Sequence, residues 1–169
     1  MKLPVVVLML FAVLTTFAQQ DTMSSPRRQA HQLSLPVADK VQYKYDVPAG
    51  LFVRNNDTLQ LFPGEKVFLE VNHNGREIKG VKAVQQISEP LRTLTISFRQ
   101  VADSTTHKNM LLTIDNPFDK QLQCTMLLGV ILAKRWERGG ALNIPPGKTA
   151  QAWPQILISL SLQDWAFTK

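Results

Sequence analysis

The sequence predicts an all-β protein, a single sandwich of two antiparallel sheets. From Leu51 onward, apolar and polar residues alternate with a period of two, as in strands that bury one face. Turn residues separate these stretches at intervals of roughly 8–15 residues, and no segment shows a convincing apolar stripe at the helical period. About eight short strands punctuated in this way are typical of a sandwich.

Alternation places each strand, and a turn signal ends it. The best-defined strands span, in chain order, residues 58–62, 67–72, 92–100, 108–115, 121–132 and 156–167. Pro63-Gly64 and Asn74-Gly75 predict turns, the second of them a tight hairpin. Asn116–Asp119 predicts a further turn. The stretch 81–94 is ambiguous, although Pro90 breaks any helix there.

The last two predicted strands differ in how their faces are used. Both faces of 121–132 become apolar from Leu127 onward, which predicts a strand covered on both sides. In 156–167 one face carries Ile156, Ile158, Leu160 and Leu162, and the other carries Leu157, Ser159, Ser161, Gln163 and Trp165. We predict that Trp153 and Trp165 are core aromatic residues.

The first eighteen residues have the pattern of a secretory signal peptide. Lys2 gives a positive start, the stretch from Leu3 to Phe17 is almost entirely apolar, and small residues flank Phe17 at the predicted cleavage site. The apolar stretch is short for a membrane span, which needs about 20 residues. We therefore predict export to the periplasm or the extracellular space, with no transmembrane helix after signal removal.

These patterns divide the chain into three segments. We predict a signal peptide at 1–18, a polar and mobile leader at 19–47, and the β-sandwich domain at 48–169. The leader is poor in apolar residues, and such segments rarely bury enough surface to become ordered. Leu33, Leu35 and Val37 nevertheless alternate, which is compatible with a short edge strand near the end of the leader.

The charge of the chain bears on its partners. It has 19 Lys and Arg against 13 Asp and Glu, a net charge of +6, and loss of Lys2 with the signal peptide would leave +5. A mildly basic surface favours an acidic protein, an anionic glycan or the envelope surface as a partner. The cations are scattered rather than clustered, so we predict no nucleic-acid partner. The oligomeric state stays open.

No pattern in the chain predicts catalysis. Cys124 is the one cysteine, and it lies on the apolar face of its strand, where a thiol behaves as a small buried hydrophobe. His31, His73 and His107 are far apart, whereas zinc ligands usually come in close pairs. The chain has neither a nucleophile elbow nor a Gly-rich phosphate loop. We therefore predict no catalytic residue, no metal site and no cofactor.

The best candidate site is the polar segment that follows the apolar strand 121–132. It contains Lys134, Arg135, Trp136 and Arg138, followed by Gly139-Gly140. We interpret it as a loop at one end of the sandwich, and such loops often carry recognition. Trp and Arg are the side chains that dominate binding hot spots. The alternative interpretation is that Trp136 folds back and caps the core.

The stretch from Leu94 to Phe167 resembles small secreted bacterial β-sandwich proteins, immunoglobulin-like and of uncharacterised function. The resemblance rests on three motifs: Thr113–Phe118 leading into Leu122, then Pro145–Lys148, then Trp153-Pro154 with the closing Ile158–Leu160. It covers less than half of the precursor. It implies an immunoglobulin-like sandwich and a bacterial envelope setting, and no catalytic residue comes with it.

Three functions are compatible with the sequence. The first is an exported, non-enzymatic binding or assembly module that contacts another envelope component through an end loop or an open edge. The second is a small hydrolase or glycan-acting enzyme whose acids converge in a cleft, using some of the histidines and of Glu65, Glu70, Glu77, Asp103 and Asp119. The third is a fibre subunit that donates its leader as a strand to a neighbour.

Overall fold

The computed structural model describes residues 25–131 and 135–168. Within these ranges the chain forms fourteen β-strands and one 3-10 turn at Pro90–Arg92. Two five-stranded antiparallel sheets share one core, so the predicted all-β fold with two antiparallel sheets is confirmed. The predicted signal peptide lies outside the described residues.

The strands are, in chain order, β1 (Arg27–Arg28), β2 (His31–Ala38), β3 (Val41–Val47), β4 (Gly50–Leu51), β5 (Val53–Arg54), β6 (Thr58–Leu61), β7 (Glu65–His73), β8 (Ile78–Val84), β9 (Thr93–Asp103), β10 (Thr106–Asn116), β11 (Leu122–Val130), β12 (Arg135–Ile144), β13 (Gly147–Trp153) and β14 (Leu157–Phe167). The first sheet has the order β13-β10-β9-β7-β8, and the second has the order β12-β11-β14-β6-β5. Two separate ribbons, β2-β3 and β1-β4, complete the fold.

The core lies between the two sheets and is built by alternate residues of each strand. The first sheet contributes Leu69, Ile96 and Phe98, and the second contributes Leu59 and Leu160, all of them fully buried. Burial of such a side chain stabilises the fold by about 1.5–3 kcal/mol relative to its exposure. The predictions for Cys124, Trp153 and Trp165 are confirmed, because all three are buried in this core.

Strand β14 does not keep one face to the core along its whole length, contrary to the simple alternation predicted for it. Leu157, Leu160, Leu162 and Trp165 all pack in the core, whereas Ile158 packs under the β2-β3 ribbon. The cause is two irregularities in its pairing with β11, one between Gly129 and Val130 and one between Gln123 and Thr125. Each extra residue moves the following side chains to the opposite face. Asp164 adopts the left-handed conformation at the second one, with φ 57°.

The segment predicted as a recognition loop is instead the start of edge strand β12. Trp136 pairs with Gly129, and Arg138 pairs with Leu127. A register shift then occurs opposite Met126, where Gly140 has a φ of 84°. An edge strand with one face in solvent needs few apolar residues, and the glycine pair interrupts its alternation, so the sequence pattern resembled a loop.

The predicted leader contains three of the strands. Leu33 and Leu35 of β2 and Val47 of β3 are buried against Phe62, in a small cluster separate from the main core. The edge strand expected at Leu33 and Leu35 is therefore present, and it pairs with β3 inside its own chain. On its other side the ribbon is held by Gln100, whose Nε2 donates a hydrogen bond of 2.8 Å to the carbonyl oxygen of Pro36.

A buried ion pair fixes β1 to both sheets, through Glu65 of β7 and the backbone of Gln60 in β6. Arg28 is only 5% exposed, and its guanidinium donates to both carboxylate oxygens of Glu65 and, at 2.8 Å, to the carbonyl oxygen of Gln60. The same guanidinium lies over the rings of Phe52 and Phe62, 4.8 Å and 4.6 Å from their centroids. A charge in this position is stable only because its partners replace the lost water.

Candidate aromatic groove

The outer face of the second sheet carries a groove that the β2-β3 ribbon covers on one side. Two cavities of about 440 and 250 Å³ share Tyr45, Gln60, Phe62 and Trp136 in their walls. We call the two cavities together the aromatic groove. Its position follows from the topology, because β3 crosses above the strands β11, β14 and β6 instead of pairing with them.

Four aromatic side chains line the walls: Tyr43, Tyr45, Phe62 and Trp136. Tyr43 and Tyr45 stand two residues apart on β3, so both point toward the second sheet. Tyr45 stacks on Phe62, with 6.0 Å between ring centroids and 21° between ring planes. The opposite wall is Trp136, which is 46% exposed. The interpretation of Trp136 as a core cap is therefore wrong.

The floor of the groove is polar and built from small residues. Ser159 and Ser161 are 4% and 5% exposed, and each lines one of the two cavities. Within the described residues neither hydroxyl forms a hydrogen bond with the rest of the chain, and nor does the side-chain amide of Gln60. All three side chains line the groove, and none of their polar atoms is both fully buried and unpaired. Each can therefore form hydrogen bonds with a ligand in the groove.

A glycine keeps the floor open between Trp136 and Ser159. Gly129 pairs with Trp136 on one side and with Ser159 on the other. A Cβ atom at Gly129 would lie 2.3 Å from the Ser159 Oγ, closer than two such atoms can approach. The glycine is therefore required by the space at this position and not by its backbone conformation.

Arginines lie on both edge strands of the second sheet. Arg54 lines one cavity from edge strand β5. Arg138 is exposed on the opposite edge strand, two residues after Trp136 and thus on the same face of the sheet. The predicted site residue Lys134 lies outside the described residues. Arg135 begins β12, and the structure does not describe its side chain. Of the predicted site residues, the structure thus brings Trp136 and Arg138 together on one face.

The thiol has none of the properties of a nucleophile. Cys124 is 1% exposed in the main core, on the opposite face of the sheet from the groove. Burial, with a smaller contribution from the carboxylates of Asp164 and Asp57, raises the pKa of the thiol to about 12. A cysteine in this state stays protonated and packs as an apolar side chain.

The histidines make local contacts in three separate places. His31 is exposed. The half-buried ring of His73 packs edge-on against Phe118 and Phe167, and its Nδ1 accepts a hydrogen bond from the backbone N–H of Gly75. Its pKa is lowered, mainly by burial and then by the charges of Arg92 and Lys120. His107 is half-buried and bridges Gln100 and the carbonyl oxygen of Pro154.

The acids of the enzymatic alternative do not converge in the described part of the chain. Glu65 is paired with Arg28, Glu70 with Lys82, Glu77 with Lys79, and Asp103 with Lys108. Asp119 is exposed in a turn. Each of four cavities in the described part of the chain has fewer than two carboxylates in its walls. Over the same residues, no group of three metal-ligating side chains occurs.

The sequence predicts the wall of the groove that contains Trp136, but not the wall formed by the two tyrosines. Trp136 stands among charged residues, a composition that predicts a recognition site. Tyr43 and Tyr45 lie within 19–47, whose composition predicts a mobile leader. Their alternation with Lys44 and Asp46 was the available signal. The alternation of β14 places the two serines on a polar face, but both are buried and lie in cavity walls opposite Tyr45.

No helix in residues 25–131 or 135–168 is long and apolar enough to cross a membrane. Comparisons of the chain with protein-family models, with curated proteins and with solved structures find no match. The resemblance to secreted immunoglobulin-like proteins therefore stays a prediction. The groove is the structural feature from which a function can be inferred.

Proposed function

We propose that the protein is an exported, non-enzymatic binding module with an immunoglobulin-like sandwich, and that it contacts another component of the cell envelope through the aromatic groove. One observation carries this proposal: a half-exposed Trp136 faces two tyrosines across a floor whose serine hydroxyls have no partner within the described chain. A rigid aromatic wall with a few converging polar groups is the usual composition of a binding site.

The alternative functions have less support. A glycoside hydrolase needs two carboxylates in one cleft, and the aromatic groove has none in its described walls. A fibre subunit of the expected kind needs a leader strand that is free for donation, but β2 is paired with β3 and buried in its own domain. The described walls of the groove come from elements of one chain.

Photo-crosslinking in the native cell envelope tests the proposal. A photoreactive residue at Trp136 is compared with one at Thr95, which is half-buried on the outer face of the first sheet. We expect a discrete adduct at Trp136 and none at Thr95. Equal and diffuse labelling at both positions would show that the groove is not the contact surface. Melting temperatures of both variants establish that the fold is intact.

A further inference from the structure

We propose that the aromatic groove binds an anionic glycan chain. This inference rests on the proposed binding function and names the class of its ligand. Three features of the groove point to a sugar polymer, and a fourth, the state of the sheet backbone, argues against a peptide.

The first feature is the pair of unpartnered hydroxyls. Ser159 and Ser161 are more than nine-tenths buried and open only to the groove, and Gln60 adds an amide beside them. Buried polar groups cost free energy unless they are hydrogen-bonded. A ligand that satisfies two hydroxyls and an amide in one row must carry several donors and acceptors of its own, and the hydroxyl groups of a sugar do so.

The second feature is the set of aromatic side chains in the same walls. Tyr43, Tyr45 and Trp136 line the groove, and the faces of such rings carry negative charge density. The C–H groups on one face of a sugar ring are weakly positive and pack well against such rings, while the hydroxyls at its edge remain free to bond with the floor. The groove thus matches both surfaces of a sugar.

The third feature is length and charge. The groove crosses from β12 to β5, which is four strand spacings or about 19 Å. Arg54 lines it at one end, Arg138 is exposed on β12 two residues beyond Trp136, and no acid lines it in the described residues. A chain of several linked sugars spans this distance, and acidic substituents on it complement the two arginines and the net charge of the protein.

The sheet backbone argues against an extended peptide as the ligand. Peptides bind sheets mainly by pairing with an open edge. The floor of the groove is formed by β11 and β14, and each of these strands already pairs on both sides. Their backbone groups are therefore used within the sheet, and only side chains face the ligand.

Calorimetric titration of the exported protein tests the ligand class. The acidic probes are oligogalacturonate, chondroitin sulfate and a phosphate-containing teichoic acid. Methyl-esterified oligogalacturonate is the matched neutral probe, and polyglutamate and oligo(dT) are the other anionic polymers. We expect at least one acidic glycan to bind with a dissociation constant below ~1 mM and tighter than all three comparison probes.

Three variants place the binding in the groove. Trp136→Ala should weaken it by at least about tenfold, and Ser161→Ala by about two- to tenfold, the equivalent of one hydrogen bond. Arg138→Gln should reduce its dependence on salt. Arg99→Gln is the matched control, since Arg99 is an exposed arginine on the outer face of the first sheet. It should leave binding unchanged.

The outcomes separate this inference from the proposed function. Binding of an acidic glycan that is insensitive to Trp136→Ala and Ser161→Ala, or that falls equally with Arg99→Gln, would overturn the assignment to the groove. No binding of any acidic glycan, or tighter binding of polyglutamate or oligo(dT), would overturn the ligand class. In that case a discrete protein adduct from the probe at Trp136 would still support the binding module, whereas its absence would remove both proposals.

Discussion

Replacing Arg28 by Met should strongly destabilise the protein. The substitution removes the bonds to both carboxylate oxygens of Glu65 and the 2.8 Å bond to the Gln60 carbonyl oxygen, while it keeps most of the side-chain volume. It leaves the carboxylate of Glu65, which is 10% exposed, with only the backbone N–H of Phe62 as a partner. Breaking a buried pair in this way costs about 3–5 kcal/mol. That is a large part of a typical stability of about 5–15 kcal/mol.

Urea denaturation followed by tryptophan fluorescence measures the free energy of unfolding. The double variant Arg28→Met with Glu65→Met removes the orphaned charge and leaves the N–H of Phe62 and the carbonyl oxygen of Gln60 without their side-chain partners. It should therefore be at least about 1 kcal/mol more stable than the single variant, since unpaired neutral groups cost less than an unpaired buried carboxylate. A loss of less than about 1 kcal/mol in the free energy of unfolding for Arg28→Met alone would show that the pair behaves as a solvent-exposed one, and would contradict the prediction.

Three further predictions concern single positions. Gly129→Ala should destabilise the protein by about 1–3 kcal/mol because its Cβ meets the Ser159 Oγ, and adding Ser159→Ala should restore much of the loss in the same denaturation assay. Cys124→Ser should cost about 1–3 kcal/mol by burying a hydroxyl, and the native thiol, with its pKa raised to about 12, should resist alkylation until the protein is unfolded. Since the pKa of His73 is lowered on folding, the unfolded chain binds the extra proton more readily, so stability falls as pH drops through about 6.5. His73→Phe should flatten the melting temperature between about pH 7.5 and 5, and identical pH profiles of the two proteins would contradict this.

The strands β7, β9 and β10 were predictable because each buries alternate residues in the core and keeps the others less buried. In β7 the apolar residues at 67, 69 and 71 face the core and alternate with Phe68, Glu70 and Asn72, and Asn74-Gly75 closes the hairpin to β8. The same period identifies β9 and β10, whose inner residues include Ile96 and Ile114. Here the local pattern and the tertiary environment agree, so one face of the pattern is the core.

The pattern failed where pairing irregularities or coverage by another element decide the environment. Nothing in the sequence around Ile158 and Asp164 marks the shifts that turn β14 over, because a bulge depends on how two strands pair. Ser159 and Ser161 have the composition of a solvent-exposed face, yet both are buried and share cavity walls with Tyr45 of the β2-β3 ribbon. The groove brings together Tyr43 and Trp136, which lie far apart in the sequence. No local sequence pattern predicts that two such residues share one cavity.

The groove has both walls only while the β2-β3 ribbon is docked on the second sheet. Binding of a ligand in the groove and docking of the ribbon are therefore thermodynamically linked. Tyr43 and Tyr45 belong to a cluster with four buried members, whereas the main core is far larger. Elements that bury little apolar surface open at lower free energy than the core does. A ligand held between Tyr45 and Trp136 binds only the docked ribbon, so mass action requires it to stabilise that docking by RT ln(1 + [L]/Kd). By the same linkage, any substitution that loosens the ribbon, such as the loss of the Gln100 bond to Pro36, weakens binding without touching the ligand.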